Sequence, residues 1–509
     1  MLTQNAAIAA NRFGLGARPR DAAAIGSDPK GWLEDQLAAA KKTPPQPPTP
    51  PESAQVLEKL RDLQAVRQAA AQARANAGQP KKATAAPPSG DAAGAPPASP
   101  GIAEQAIREF GQFSRDHYLE QVNARNRRAI ETDQPFVERL VQFWSNHFAI
   151  SADKALVGPI AGLYEQEAIR PHVTGNFYDL LLAAERHPAM NMYLDNTTSM
   201  GPNSQAASFA RSRGRTLGLN ENLAREILEL HTLGVDGGYT QQDVTTFAKV
   251  ITGWSIGGAI GPGARGAVKG ANGKGGPGGA FASGGKPGEF YFRATMHEPG
   301  DKTVLGRTYT EHGVGEGEQV LATLARSPAT AKHLATKLAR HFVADQPSDA
   351  LVARLADSYL KHDGELVPVY RELIRSDESW REPLAKYKTP NDFVISTFRA
   401  LDHVPDNLQQ VAAFLNELGQ RPWTPGSPAG WPDTAANWDG GDALLKRIEW
   451  SGAVGKRVGA LAAGRLEAAD LAASILAPVS DATLAGLRGA ADGGQALALL
   501  ISAPEFQRR

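Results

Sequence analysis

Cysteine is absent from the 509-residue sequence. Its absence excludes disulfides, zinc–thiolate sites, iron–sulfur clusters and cysteine nucleophiles together. Any metal, a divalent ion being the cofactor in question, would have to be held by His, Asp, Glu or Asn. A surplus of charge is missing too: 54 Lys and Arg balance 54 Asp and Glu. No global field therefore draws the chain to nucleic acid or to an anionic membrane, and no nucleic-acid partner is expected. No run approaches the ~18 apolar residues that a membrane-spanning helix needs, so no transmembrane segment is expected. The start, MLTQNAAIAANRFGLG, lacks a basic region followed by a long apolar core, and Arg12 interrupts its apolar run. No signal peptide is evident there. Neither an HExxH zinc helix nor a GxGxxG after a strand is found.

What is present is mostly helical. AAIAANRF and GWLEDQLAAA read as short helices of an N-terminal unit, 1–42, expected to pack on the main domain. TPPQPPTPP breaks any helix, because proline lacks the donor and clashes with the preceding turn, so 43–52 reads as a Pro-rich linker. Val56, Leu57, Leu60 and Leu63 fall at helical spacing and predict a helix over 53–78. The following stretch, 79–101, has almost nothing to bury and reads as a disordered linker. A main helical domain is expected over 102–509. Within it, 257–288 is glycine-rich and carries Arg265, Lys269, Lys274 and Lys286 without an acid. Either a flexible surface loop or a basic, anion-contacting lid fits that composition. EFYFRATMHEPGDKTVLGRTYT, 289–310, predicts one β-hairpin: Phe290 and Phe292 alternate with polar neighbours, EPGD turns, and TVLGRTY returns. The expected fold class is all-α, with one small β-hairpin insertion and long low-complexity linkers.

The richest stretch is ENLAREILELHTLGVDGGYTQQDV, 221–244. At ~100° per residue, Glu221, Arg225 and Glu229 form an i, i+4, i+8 ladder, extended by Asn222 and Glu226. His231 points elsewhere. Thr240 followed by Asp243 resembles a capping box that starts a helix through Val250. His147 lies on an apolar helix beside Trp144 and Phe148, which suits a core histidine or a ligand. His297, at the tip of the expected hairpin with Glu298, Asp301 and Lys302, suits an anion or metal site as well as a soluble turn. Trp423, Trp431 and Trp438 share a stiff Pro/Gly-rich loop that could wall a ligand or anchor itself.

Many segments, in order, resemble one bacterial family, catalogued as domain of unknown function 1800. They are NRFGLGARP, VQFWSNHFAI, HPAMNMYLDN, ENLAREILELHTLGVDGGYTQQDVTTFAKVITGW, MHEPGDKTVLG, GEGEQVLATLARSPATAKHLATKLARHFVAD, KTPNDFVISTFRAL and GWPDTAANW. The resemblance implies a mainly helical protein, export of some members, and a partner: a second uncharacterised exported protein encoded nearby. It carries no assigned catalytic residues. Family-patterned polar positions are His147, Asp195, Asn196, Glu221, Asn222, Arg225, Glu226, Trp254, His297 and Lys302. Ser145 stands where the family often has a second histidine.

Two functions are then open. In one, His147, Glu221, Glu226 and His297 converge on a divalent metal, with Glu221, Arg225, Glu226, His297 and Lys302 as candidate catalytic residues. In the other, the protein is a ligand- or partner-binding assembly protein linked to the cell envelope. Asp195, Asn196, Asn222, Trp254 and Trp431 are its candidate ligand contacts.

Overall fold

The computed structural model describes residues 2–46, 49, 51–77, 100–214, 218–258, 284–381, 384–462 and 467–509. Most of the expected linker 79–101 lies outside them, as does most of the glycine-rich stretch with Arg265, Lys269 and Lys274. The architecture is mainly helical, with two small two-stranded antiparallel sheets. No helix among the described residues is long and apolar enough to cross a membrane.

Local chemistry starts the helices that matter below. Pro135, Pro328 and Pro390 each open a helix, Pro135–His147, Pro328–Phe342 and Pro390–Ala400. Proline suits that first position because its missing N–H has no intrahelical partner there. Ser327 and Thr389 cap the second and third, their hydroxyls accepting from Ala329 and Asp392 backbone N–H. Thr240 and Asp243 form the expected reciprocal capping box, and the helix Gln241–Val250 follows it.

The N-terminal helix Gln4–Ile8 and the wider turn Ala9–Phe13 lie between two apolar clusters. Ile8, Ala9 and Phe13 enter the larger one, with Leu33, Phe136 and Phe342. Leu2, Ala6, Ala7 and Ala10 enter the other, with Phe393, Leu471 and Leu500. The FGLG turn that follows is held by buried guanidiniums. Arg139 Nε donates to the Gly14 carbonyl and Arg399 Nε to the Gly16 carbonyl at 2.8 Å. Gly16 has φ +107°, and a Cβ there would fall on the Cβ of Ser396.

The single hairpin expected over 289–310 is replaced by two separate ribbons. Strand β1 (Trp254–Ile256) pairs with β2 (Phe290–Phe292), across the glycine-rich stretch. Strand β3 (Lys302–Val304) pairs with β4 (Arg307–Tyr309). The reason is the turn. Leu305 and Gly306 both have positive φ, the two-residue geometry that matches strand twist, so TVLGRTY closes on itself. That leaves FYF to find its partner upstream.

Gly16→Ala is expected to destabilise the fold by about 3 kcal/mol or more, combining backbone strain with overpacking against Ser396. Denaturant unfolding of the variant measures it; a change below about 1 kcal/mol would contradict this packing.

Candidate functional site

One cleft gathers several charged side chains and two histidines against an aromatic wall. It encloses about 310 Å³ between the Pro135–His147 helix, the Pro328–Phe342 helix, the start of the Pro390–Ala400 helix and the loop 420–434. Lys337, Arg340 and His341 line it at i, i+3 and i+4, so one helical face presents all three. Phe143, Trp423 and Trp431 supply apolar wall. The loop is fastened rather than draped. Asn146 Oδ1 accepts from the Trp431 N–H at 2.7 Å, and its Nδ2 donates to the Trp431 carbonyl at 2.9 Å. Trp423 is buried, its indole N–H donating to Glu165 at 3.1 Å.

Charge in the cleft is unevenly satisfied. Asp392 is held by Arg139 at 3.0 Å and by Arg509 at 2.8 Å. Burial alone would raise its carboxyl, but those guanidiniums outweigh burial and hold it far below the ordinary range. Asp433 meets His341 at 2.7 Å, Arg509 at 3.5 Å and Lys386 at 3.6 Å. Burial is again overcome, and its carboxyl drops to about 2. Lys337 makes no ion pair among the described residues, and burial lowers its ammonium to about 8. Arg340 donates Nε to the Asp345 carbonyl at 3.2 Å and has no carboxylate partner among them. Two cations are therefore left over.

Two imidazoles are fixed in known tautomers by their partners. His147 Nε2 lies 3.1 Å from the His231 carbonyl, which can only accept, so Nε2 donates and Nδ1 carries a lone pair. His341 Nδ1 lies 2.7 Å from the Asp433 carboxylate, so Nε2 carries its lone pair. Both bare nitrogens are buried without a partner, as are the donors Gln142 Nε2 and Trp431 Nε1. An unsatisfied buried polar atom costs about 1–3 kcal/mol. All four belong to residues that line the cleft.

The family described as "Protein of unknown function (DUF1800)" matches residues 8–508. The chain belongs to the DUF1800 family. No curated protein and no solved structure matches it. The DUF1800 match contains every cleft residue named above except Arg509.

Of the DUF1800 positions singled out from sequence, His147 and Trp431 line this cleft; Glu221, Glu226 and His297 do not share it. Glu221 lies on the surface and accepts from Arg225 at 3.1 Å, Gln241 at 2.8 Å and Thr245 at 2.7 Å. Arg225 also reaches Glu229 at 3.4 Å, completing the expected ladder. Asn222 is exposed, and Glu226 is partly buried, with burial raising its carboxyl. His297 and Lys302 are buried rather than displayed on a loop tip. They meet Glu316, which is fully buried, at 3.2 and 3.0 Å. Asp195 pairs with Lys154 at 2.5 Å. Asn196 is buried and donates to the carbonyls of Ile251 and Trp254 at 3.4 and 3.2 Å; Trp254 is fully buried. No group of three or more His, Asp or Glu among the described residues could hold a metal ion, so the expected four-residue metal cluster is not formed.

Sequence reading passed over Lys337, Arg340, His341, Asp392 and Asp433. The i, i+3, i+4 cations were visible in KLARH, but a helix C-terminus favours cations in any case. It also passed over GWSIG, Gly253–Gly257, which has the letter spacing of a nucleophile elbow. That device needs an exposed serine on a strand-to-helix turn. Ser255 is instead buried within β1 opposite Tyr291, its Oγ accepting from Arg293 at 3.0 Å.

Two outcomes are expected here. Lys302→Ala strands the Glu316 carboxylate and should cost about 3–5 kcal/mol in denaturant unfolding; a loss under about 1 kcal/mol would mean that Glu316 does not depend on it. Acid should also weaken the fold through the histidines. Burial pushes His147 well below its ordinary value and His333 and His341 to about 4. The unfolded chain takes these protons near about 6.5, so their stabilisation is complete above that pH. It is lost as pH falls from about 6.5 toward about 4. Urea midpoints that stay flat between pH 7 and 4.5 would contradict these neutral imidazoles.

Proposed function

We propose that the protein is a ligand-binding protein and that its cleft takes a small anion, a carboxylate or phosphate, against an aromatic wall. The observation that carries this reading is the pair Lys337 and Arg340, on adjacent turns of one helix, lining a cleft in which every nearby carboxylate is already held by other cations. An anion entering there gains two charge-assisted contacts in a partly desolvated space. A divalent cation would meet repulsion from the same two groups, which turns the reading away from a metal centre in this cleft. The aromatic residues suit a ligand with an apolar face.

The partner-binding form of the reading rests on a different place. Trp423 is buried and adds no outer patch. Leu444, Leu445 and Ile448 are instead exposed on the helix Gly441–Ala462, an apolar face of the kind that partners cover.

For the cleft, calorimetric titration with inorganic phosphate and with monocarboxylates is the test. Wild-type protein should bind at least one of these anions. Lys337→Ala and Arg340→Ala should each weaken that binding by about tenfold, equivalent to about 1.4 kcal/mol. Affinity left unchanged in both variants, or no anion bound at all, would overturn the proposal.

A further inference from the structure

We propose that the anion taken by this cleft is also hydroxylated, an acidic sugar or a related hydroxy acid, with His147 Nδ1 and His341 Nε2 as the acceptors that read its hydroxyls. The inference rests on the anion-binding reading above and adds the rest of the molecule to it.

The argument is one of donors and acceptors. Ionised carboxylate oxygens, and phosphate oxygens that carry no proton, only accept. Lys337 and Arg340 suit them, but a bare imidazole nitrogen does not, because two lone pairs would face each other. The two histidines cannot turn to avoid this. His147 is 1% exposed and tied through Nε2 to the His231 carbonyl. His341 is tied through Nδ1 to Asp433, which Lys386 and Arg509 hold in turn. The Phe143 ring packs beside both imidazoles, with centroids 6.4 and 5.2 Å away. Both lone pairs therefore need a ligand group that donates.

An ammonium would donate, but it would be repelled by Lys337 and Arg340. An amide donates through its nitrogen and accepts through a separate carbonyl oxygen, so no single atom of it can both donate to an imidazole nitrogen and accept from Gln142 Nε2 or Trp431 Nε1, the unpartnered donors of cleft-lining residues. A hydroxyl does both. Several hydroxyls on one small ring, with an apolar C–H face for Trp431 or Phe143, match the mixed lining better than any single-function group. Asp433 acts here as a positioning residue, since it sets the tautomer of His341.

The experiment compares ligands of equal charge by calorimetric titration of the full chain. D-glucuronate is set against cyclohexanecarboxylate, and D-glucose 6-phosphate against phenyl phosphate. In at least one pair the hydroxylated member should bind more tightly by about tenfold or more, because a site built to bond a hydroxyl rejects the analogue that lacks it. His341→Gln and Asp433→Asn should each collapse the ratio of affinities within a pair, and that ratio, not the affinity of either member, is the readout. Arg340→Ala should weaken both members of a pair. Equal binding within both pairs would overturn the hydroxyl inference and leave the anion reading standing. Binding of none of the four would overturn both. The ligand comparison needs no substitution, so it decides the matter whether or not a variant folds.

Discussion

A guanidinium out of water must find acceptors for all its donors, and this fold is organised around a few that do. Arg399 is fully buried. It reaches the carbonyls of Gly16, Ala129, Ile130 and Thr132, with Asp21 at 3.4 Å. Those carbonyls belong to the N-terminal turn and to the end of the long helix Pro100–Glu131, segments distant in sequence with no strand to join them. Arg18 adds Asp21, Asp133 and the Glu131 carbonyl to the same knot. Apolar contact alone is non-directional. A planar fork with fixed donors is directional, and it sets where the N-terminal turn lies between the two apolar clusters.

The cleft grows from the same device. Arg139 reaches back to the Gly14 carbonyl and forward to Asp392. Arg509 then binds Asp392, the His341 carbonyl and Asp433. Structural arginines and ligand-facing groups are thus neighbours in one charge network, in which the carboxylates are consumed from behind. What remains among the cleft-lining residues is positive charge without a carboxylate partner and imidazole nitrogen without a proton. The recognition chemistry is the residue of a structural arrangement, and it explains why two acids in the cleft do not make it an acidic site.

Sequence periodicity reaches the helices because their apolar stripes and caps are local. The Thr240–Asp243 box and the Glu221–Arg225–Glu229 ladder are legible for that reason. Strand pairing is not local: Phe290–Phe292 faces Trp254–Ile256 across the glycine-rich stretch, and no short-range pattern announces it. Burial of polar groups is equally hidden. His297 and Lys302 look like a decorated turn in the string MHEPGDK, and only the packing of Glu316 behind them makes them an interior ion pair. His147 and Trp431 were visible as candidates one at a time. Their meeting with Lys337 and His341 depends on tertiary contacts made by Asn146, Asp433 and Arg509, which are contributed from three distant parts of the chain.

The ladder between β1 and β2 has a consequence for how the gene can change. Gly257 N–H bonds the Glu289 carbonyl at 2.7 Å, and Gly258 N–H bonds the Gly284 carbonyl at 2.9 Å. The two ends of the glycine-rich stretch are therefore held together at a single closed gate. Loop-closure cost rises only with the logarithm of length, so changing the number of residues between the two ends of that gate alters the closure cost itself only slightly. In closure cost, replication slippage in a low-complexity tract of this kind is then cheap, and the same gate offers a grafting point where a foreign domain could be spliced into the chain.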